Sequence, residues 1–299
     1  HDVLYLNSFF SYRFTALPLL ARKLRLAPKQ PCVIATRGEF STGALFLNAQ
    51  KKSIYLAIVK VLGLFTRLHW QASSEYECAD IRRVMGAVSS SVYIAPDLPP
   101  IELNPDTLGF TSRFIAKSDA PLRIVFLSRI TPKKNLEFLL KSLCLVRECI
   151  ELAIYGPLED LAYWKRCQAL ISKLPLNISV EYCGEIDASH VTEVFSGFEL
   201  FVFPTFGENY GHVVLESLTS GTPVLISDQT PWSASPDGAV SILPLADPLC
   251  WAEALDRHAC LNADERLRLK SLATCYARDY LQDCNVVQKP RHLFSSLLL

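Results

Sequence analysis

Short apolar runs alternate with longer amphipathic stretches along almost the whole chain. The runs are four or five residues long and rich in Val, Ile, Leu and Phe, which is typical of buried β-strands. They predict ten strands, at Val3–Leu6, Pro31–Ala35, Leu68–Ala72, Ser91–Ile94, Arg123–Leu127, Glu151–Tyr155, Ile178–Tyr182, Leu200–Phe203, Pro223–Ile226 and Val240–Leu243.

The stretches between these strands have the spacing of helices. Examples are Lys134–Cys149, Leu158–Lys173, His190–Phe195, His212–Thr219, Pro248–Ala259 and Ala263–Leu281. Because strands and helices alternate, the strands are predicted to be parallel and joined by crossover helices. The sequence therefore predicts an α/β fold.

The alternation stops around Pro96. The proline-rich segment 96–100 and the polar residues as far as Asp119 indicate a linker. We predict two domains, residues 1–105 and 106–299. The first holds four strands and the second six, so the first is expected to be incomplete. The chain also opens at His1 without an initiator Met, and we expect it to be an N-terminally truncated fragment.

The composition restricts the partners. Half of the 299 residues are hydrophobic, and thirty Lys and Arg residues balance thirty Asp and Glu residues. A net charge of zero gives no global field for nucleic acid or for an anionic membrane, so any anion binding is expected to be local.

Cysteines and apolar stretches indicate the compartment. The ten cysteines are scattered singly and have no metal-ligand spacing, which favours free thiols in a reducing compartment. The longest apolar stretch, Ile54–Phe65, contains Lys60 and is shorter than the roughly 20 residues of a membrane span. We expect a cytoplasmic protein.

The segment after the eighth predicted strand has the most informative chemistry. Strand Leu200–Phe203 leads through Gly207 and Gly211 into a helix, and such turns lie at the ligand-binding edge of a parallel sheet. Free N–H groups at a helix start suit a phosphate or pyrophosphate. Glu208 lies in the turn, and Glu216 lies about 7.5 Å beyond Gly211 along the helix, close enough to reach the same ligand.

Two cations flank an earlier strand-to-helix turn. Arg129 and Lys134 follow the strand Arg123–Leu127. They can neutralise a diphosphate from one side while the turn from Gly207 to Gly211 holds it from the other.

These segments together resemble the retaining glycosyltransferases of family 4, which have two facing Rossmann-like domains, the GT-B fold. The family's hallmark is a pair of Glu residues separated by seven others, which Glu208 and Glu216 match. Pro204-Thr205 and Ser220-Gly221-Thr222-Pro223-Val224 make the match specific. Ser128 and Asn135 stand where glycines are common in the family, but the charges of Arg129 and Lys134 are retained.

The resemblance implies a role for each matched residue. Glu208 would contact the transferred sugar, Glu216 the ribose hydroxyls, and Arg129 and Lys134 the departing diphosphate, which makes Glu208, Arg129 and Lys134 the catalytic candidates. The other implied donor-binding residues are Gly207, Asn209, Tyr210, Gly211, Gly156, Glu185 and Ile186.

The resemblance also implies the reaction. A hexose would pass from a UDP- or GDP-sugar to a saccharide or lipid-linked saccharide acceptor with retention of configuration, in the biosynthesis of a surface polysaccharide. The family uses no metal or other cofactor, and no Asp-x-Asp pair is present here to hold one.

The first domain offers weaker candidates. Asn7 and Arg37 lie in predicted strand-end loops and are candidates for contact with the acceptor or donor. Many relatives have a His near Arg37, and a structural role for Arg37 or Glu39 is an equal alternative. The helix predicted over Lys51–Thr66 combines lysines with apolar residues. It could lie on the inner face of a membrane, but we expect it to pack in the core.

Two other classes of protein are alternatives. A non-catalytic remnant would keep nucleotide binding and transfer nothing, and the incomplete first domain favours this alternative for the chain as it stands. A dinucleotide-dependent oxidoreductase would need a Gly-x-Gly-x-x-Gly turn after a strand, which the sequence lacks.

Overall fold

The computed structural model of the chain describes residues 2–46, 48–86, 91–97 and 120–297. The chain divides into two compact units. The first combines His1–Leu98 with Asp283–Leu299, and the second runs from Pro99 to Gln282. The predicted boundary between residues 105 and 106 lies outside the described residues and stays a prediction.

Ten strands and eleven α-helices lie in the described residues. The strands are β1 Leu4–Leu6, β2 Cys32–Ala35, β3 His69–Ala72, β4 Val92–Ile94, β5 Leu122–Leu127, β6 Ile150–Tyr155, β7 Ile178–Gly184, β8 Leu200–Phe203, β9 Val224–Ser227 and β10 Val240–Leu243. The helices are α1 Leu17–Lys23, α2 Thr42–Phe46, α3 Ala49–Val61, α4 Glu75–Met85, α5 Leu136–Leu143, α6 Leu161–Ile171, α7 Val191–Ser196, α8 His212–Thr219, α9 Pro248–Ala259, α10 Ala263–Gln282 and α11 Cys284–Ser295.

The predicted α/β class is confirmed, and all ten predicted strands are present. Helix ends were predicted less well. The helix expected over Lys134–Cys149 is a 3-10 turn at Pro132–Lys134 followed by α5. Asn135, between them, has a left-handed backbone with φ 61°, which an α-helix cannot continue through.

The first unit is built on a four-stranded parallel sheet in the order β1-β2-β3-β4. Its core is aromatic. The ring of Phe9 lies 4.4 Å from that of Phe65 and 4.5 Å from that of Phe40, measured between centroids, and Trp70 of β3 completes the cluster. All four side chains are fully buried, so the loop after β1 is fixed by core packing.

The last helix belongs to the first unit. Leu293 of α11 is buried with Val33 and Ala95, and the rings of Phe294 and Tyr5 lie 5.7 Å apart. The domain boundaries predicted from the sequence assign residues 283–299 to the second domain, whereas the structure groups them with the first unit. The apolar positions of α11 show that it needs a partner, but they do not show which sheet supplies it.

The second unit is built on a six-stranded parallel sheet in the order β10-β9-β8-β5-β6-β7. From β5 the chain runs outward through β6 and β7, and it then returns to β8 on the other side of β5. Consecutive crossovers therefore leave β5 and β8 in opposite directions, which opens a crevice at the carboxyl ends of these two strands. All four residues of β8 are buried, as expected for a strand covered on both faces.

A buried ion pair fixes the base of α10. Arg266 Nη1 lies 3.1 Å from Glu199 Oε1, and both side chains are less than 10% exposed. The guanidinium also donates to the carbonyls of Leu261 and Ala259, and Glu199 accepts from the backbone N–H of Arg123. The pair thus ties α10 to β5 through charge-assisted hydrogen bonds.

We expect Arg266→Met to lower the free energy of unfolding by about 3–5 kcal/mol, because it leaves the buried Glu199 carboxylate without its cation. Urea unfolding of the whole chain, followed by tryptophan fluorescence, measures the change. Arg268→Met is the matched control on the exposed side of the same helix, where we expect a change of less than about 0.5 kcal/mol. Equal effects of the two substitutions would contradict a stabilising role for the pair.

Candidate functional site

The turns that follow β5 and β8 meet at one edge of the second sheet. The two strands are neighbours, with Ile124 opposite Leu200 and Val125 opposite Phe201. The turns leave the sheet at its carboxyl end, at the point where the direction of the crossovers changes. The predicted pairing of the Arg129–Lys134 segment with the Gly207–Gly211 segment therefore has a physical basis in the strand order.

Backbone hydrogen bonds hold the two turns together. The N–H of Phe206 donates to the carbonyl of Lys133 over 2.9 Å, and the hydroxyl of Thr205 donates to the same carbonyl over 3.2 Å. Ser227 at the end of β9 donates to the carbonyl of Thr205 over 2.6 Å. The position of each turn is thus fixed by its neighbour, as a preorganised site requires.

Lys134 and Glu208 form an ion pair at the centre of this edge. Lys134 Nζ contacts Glu208 Oε2, and the two side chains are only 9% and 18% exposed. The ammonium group also lies 5.1 Å from the centroid of the Phe203 ring, within the range of a cation–π contact. Two of the four principal residues predicted from the sequence are therefore brought into direct contact.

The helix α8 begins beside this pair. Gly211, directly before α8, has φ 80°, a conformation that favours glycine. A Cβ atom there would lie 3.0 Å from Trp232 Nε1 and 3.2 Å from Glu208 Cγ. The absence of a side chain thus lets the start of α8 lie close to Glu208, and the positive end of the helix dipole there suits an anion.

Tyr210 and Asn209 complete the turn in different ways. The Tyr210 ring is 4% exposed and packs against Trp232 and Tyr280, and its carbonyl accepts a hydrogen bond of 2.8 Å from Trp232 Nε1. Burial raises the pKa of its phenol. Only the backbone of Tyr210 is placed to meet a ligand, whereas the side chain of Asn209 is half-buried and remains accessible.

Glu216 lies on α8 next to the buried Leu215, and it is itself half-buried. Burial raises the pKa of its carboxyl group, because desolvation disfavours the charged form. In the part of the chain that the structure describes, the hydroxyls of Thr219 and Ser220 donate to the backbone carbonyl of Glu216, and no side chain there donates to its carboxylate. The carboxylate is thus available to accept hydrogen bonds from ligand hydroxyls.

Arg129 pairs with a different carboxylate. Its Nη1 atom is 3.3 Å from Glu159 Oε1, and the two side chains are 59% and 44% exposed. An exposed ion pair of this kind contributes little free energy, so the guanidinium can exchange Glu159 for a ligand. The sequence offered no signal for Glu159, which follows β6 and approaches Arg129 only through the pairing of β5 with β6.

The remaining predicted donor residues follow β6 and β7. Gly156 has φ 133°, and a Cβ atom there would lie 2.0 Å from the carbonyl oxygen of Ser128. Its N–H donates to the carbonyl of Gly184 over 2.8 Å. Glu185 is exposed and Ile186 is half-buried. Gly156 thus sets the close approach of two strand-end turns, and Glu185 and Ile186 stay accessible beside them.

In the first unit, a polar network joins the carboxyl ends of all four strands. Arg37 donates to Asn7 Oδ1 over 2.5 Å and to the Tyr5 hydroxyl over 2.9 Å, and it forms an ion pair with Asp97. The Tyr5 hydroxyl donates to Gln71 over 2.8 Å. Sequence reasoning identified Asn7 and Arg37 but missed the other three residues, which are brought together only by strand order.

Two carboxylates hold the loops around this network. Glu39 accepts from the hydroxyl of Ser8 and from the N–H groups of Phe9 and Phe10, which supports the structural alternative for Glu39. Glu77 is 5% exposed and accepts from Thr36, Gly38 and Ser73. Sequence reasoning missed Glu77, although Ser74 and Glu77 have the spacing of a helix capping box.

Two further observations on the described residues bear on metals and membranes. No group of three or more His, Cys, Asp or Glu side chains there is arranged to hold a metal ion. None of the helices in those residues is both long and apolar enough to cross a membrane.

The sequence matches known proteins over part of its length. Residues 110–234 match the family model described as Glycosyl transferases group 1. An uncharacterized glycosyltransferase of Methanocaldococcus jannaschii is 28% identical over 123 residues, which are 38% of this chain and 29% of that protein. The phosphatidyl-myo-inositol mannosyltransferase of Mycobacterium leprae is 24% identical over 221 residues, which are 71% of this chain and 56% of that protein. The chain thus spans only part of the length of both curated relatives.

A solved structure shows the fold. The crystal structure of Anabaena HepE in complex with UDP and glucose matches 99% of this chain and 78% of its own, with a TM-score of 0.74 and 14% identity. Together with the two parallel sheets, this likeness assigns the GT-B fold.

We expect Gly156→Ala to lower the free energy of unfolding by about 3 kcal/mol or more, because the added methyl group would overlap a backbone carbonyl and occupy a strained φ. Gly184→Ala is the matched control. Its φ is 84° but no atom lies within 4 Å of the added Cβ, so we expect only the strain cost of about 1–2 kcal/mol. Chemical unfolding of the two variants measures the difference, and equal losses would show that the close approach at Gly156 has no cost.

Proposed function

We propose that this chain, of which residues 110–234 match the glycosyl transferases group 1 model, acts as a retaining glycosyltransferase. It would transfer a hexose from a UDP- or GDP-sugar to a saccharide or lipid-linked saccharide acceptor, in the biosynthesis of a surface polysaccharide. The observation that carries the proposal is the contact of Lys134 with Glu208 beside the start of α8, at the crevice between β5 and β8.

The charges at this edge suit a nucleoside diphosphate. The N–H groups that start α8 and the ammonium group of Lys134 supply positive potential to the diphosphate, and Arg129 can be drawn from its exposed pair with Glu159. Negative charge grows on the diphosphate as the bond to the sugar breaks, so cations already in place lower the barrier. In this proposal these groups stabilise the departing diphosphate without a metal or another cofactor.

The two carboxylates suit the neutral parts of the donor. Glu208 lies next to the cation that would meet the diphosphate, so it is placed to accept from hydroxyls of the transferred sugar. Glu216 has an accessible carboxylate on the same helix and would accept from the ribose hydroxyls. Carboxylates are strong acceptors for hydroxyl pairs. In the first unit, Asn7 and Arg37 stay candidates for contact with the acceptor or the donor.

Other proteins support the donor class. HepE was crystallised with UDP and glucose, and also with UDP-glucose. The likeness to those structures shows the fold alone, so the identity of nucleotide and sugar in this chain rests on direct measurement.

We expect one of UDP, GDP and ADP to bind with micromolar affinity, and Glu216→Ala to weaken that binding by about 10- to 100-fold, the worth of charge-assisted hydrogen bonds to two hydroxyls. Calorimetric titration measures both affinities. Glu253→Ala, an exposed position on α9, is the control and should bind as the wild type does. A folded chain that binds none of the three nucleotides would contradict the proposal.

The pH dependence gives a second readout of Glu216. The pKa of the Glu216 carboxyl is raised. Nucleotide affinity should therefore be highest above that pKa and should fall on acidification. The fall should begin at a higher pH than for an ordinary Glu, whose pKa is about 4.3. Glu216→Gln should lack this part of the profile, with the nucleotide's own titration common to both proteins. A raised folded-state pKa also lowers stability at neutral pH, so the amide variant should be at least as stable as the wild type.

We expect Glu208→Gln to reduce the rate of nucleoside diphosphate release from the donor sugar by about 10²- to 10³-fold, with little change in nucleotide affinity. Lys134→Met should reduce both rate and affinity, because Lys134 would contact the diphosphate in both states. Lys141→Met on the exposed face of α5 is the control. Nucleotide binding by the wild type without measurable turnover would support the non-catalytic alternative instead.

A further inference from the structure

A cavity of about 420 Å³ lies beside β10, at the end of the second sheet. Its volume is in the range of sites that hold small molecules, roughly 300–1,000 Å³. Aliphatic side chains from several elements form most of its lining, among them Leu225 of β9, Ile242 of β10, Ala254 of α9 and Leu269 of α10. The described residues that line it include none of the donor candidates, so the cavity is a separate candidate site.

The cavity runs along the free edge of β10. All four residues of this strand, Val240–Leu243, contribute to the lining. Successive side chains of a strand point to opposite faces of the sheet, so a cavity that meets four consecutive residues extends along the edge as well as over one face. In the described residues β10 pairs with β9 alone. Two other members of the lining, Ala234 and Arg257, are exposed, so a ligand can enter from solvent.

Hydrogen bonds fix both walls of the cavity. On one side Ser235 and Val240 are joined twice. The N–H of Ser235 donates to the carbonyl of Val240 over 2.9 Å, and the N–H of Val240 donates to the Ser235 hydroxyl oxygen over 2.8 Å. On the other side the buried Arg266 donates over 2.9 Å to the carbonyl of Leu261, which lies between α9 and α10. The cavity is therefore preformed, and a ligand spends little free energy on ordering it.

The ionisable side chains in the lining are both basic. They are Arg257 and His258 at the end of α9, and the described part of the lining contains no Asp or Glu. Burial, together with the charges of Arg257 and Arg266, lowers the pKa of His258 to about 4. The ring of His258 is thus uncharged at neutral pH and offers one N–H donor. Arg257 supplies one permanent positive charge to an otherwise aliphatic cavity.

We propose that this cavity binds a small aliphatic carboxylate. The hydrocarbon chain would lie against Ile242, Leu261 and Leu269 and so leave water. The carboxylate would accept from the guanidinium of Arg257, whose planar donors match its two oxygens, and from the ring of His258. A monoanion fits one positive charge better than a phosphate ester does, because the ester carries about two negative charges at neutral pH.

Other ligands fit this lining less well. A sugar has hydroxyl groups around its ring and would leave most of them unpaired against aliphatic walls. An added peptide strand would find only the four residues of β10 to pair with, and it would bring its own polar backbone groups against the same walls. The proposal goes beyond the donor site, since carboxylate binding is measured without a nucleotide and can fail while the donor site stands.

Calorimetric titration of the whole chain with octanoate, hexanoate, octanol and octylammonium tests the proposal. We expect octanoate to bind with a dissociation constant of about 0.1–1 mM. Hexanoate should bind about 15-fold more weakly, at roughly fourfold for each buried methylene group removed. Octanol lacks the charge and octylammonium reverses it, so each should bind at least about tenfold more weakly than octanoate.

Two variants test the charge and the mouth of the cavity. Arg257→Gln should weaken octanoate binding by about tenfold, because it removes the cation. Ala234→Glu should weaken it by at least about tenfold, because it places a larger, negatively charged side chain at an exposed position of the lining. The matched controls are Arg268→Gln on α10 and Ala169→Glu on α6, both exposed and outside the lining. They should bind octanoate as the wild type does.

A far-UV thermal melt verifies that each variant is folded. Absence of octanoate binding by the folded wild type would overturn the proposal. Equal binding of octanol and octanoate would indicate an apolar cavity without an anion site, and equal losses in Arg257→Gln and Arg268→Gln would indicate a general effect of charge; either result also overturns it. In sedimentation, a wild-type dimer that Ala234→Glu dissociates would show that a second copy covers the edge of β10, which overturns it as well.

Discussion

The contact between Lys134 and Glu208 exists because β5 and β8 are neighbours in the sheet. The rest of the candidate site is arranged around this contact. The two residues are 74 positions apart and meet because β5 and β8 are neighbours in the sheet. The pair keeps a cation and a carboxylate nearly out of water at small net cost, since each compensates the other. A ligand that separates the two groups must satisfy both of them, with an anionic group for the ammonium of Lys134 and hydrogen-bond donors, such as hydroxyls, for the carboxylate of Glu208.

The site could be predicted where local sequence fixes it. A buried run followed by a glycine turn and a helix fixes the place of Glu208 and Gly211, and parallel strands put all such turns at one edge. Strand order is not local. Glu159 approaches Arg129 only because β6 borders β5, and Tyr5, Gln71 and Asp97 gather around Arg37 only because β1 to β4 are adjacent. Their roles could not be predicted from spacing along the chain.

Net charge and apolar periodicity describe averages, and they do not show how charge and burial are distributed in the structure. A net charge of zero excludes a long-range field only where positive and negative residues are evenly mixed along the chain. Here the positive residues are concentrated in the first 67 positions. Apolar periodicity is similarly ambiguous in α3, where residues such as Val59 and Ile58 are equally hydrophobic but only one is buried. The sequence pattern predicts that a helix has an apolar side. The number and position of the neighbouring elements decide which side is buried. The same ambiguity assigned α11 to the wrong unit.

The division of charge gives the two units electrostatic fields of opposite sign. The second unit, Pro99–Gln282, contains sixteen Lys and Arg residues and twenty-three Asp and Glu residues, so its overall field repels a diphosphate. At physiological ionic strength that repulsion decays within about 8 Å, and a few groups in fixed positions, such as Lys134 and the start of α8, decide the local potential. The first unit has the opposite excess, with fourteen Lys and Arg residues and seven Asp and Glu residues, and its field is long-range and weakened by salt. A strong dependence on salt is therefore expected of contacts made by the first unit, and a strong dependence on single residues is expected of contacts made by the second.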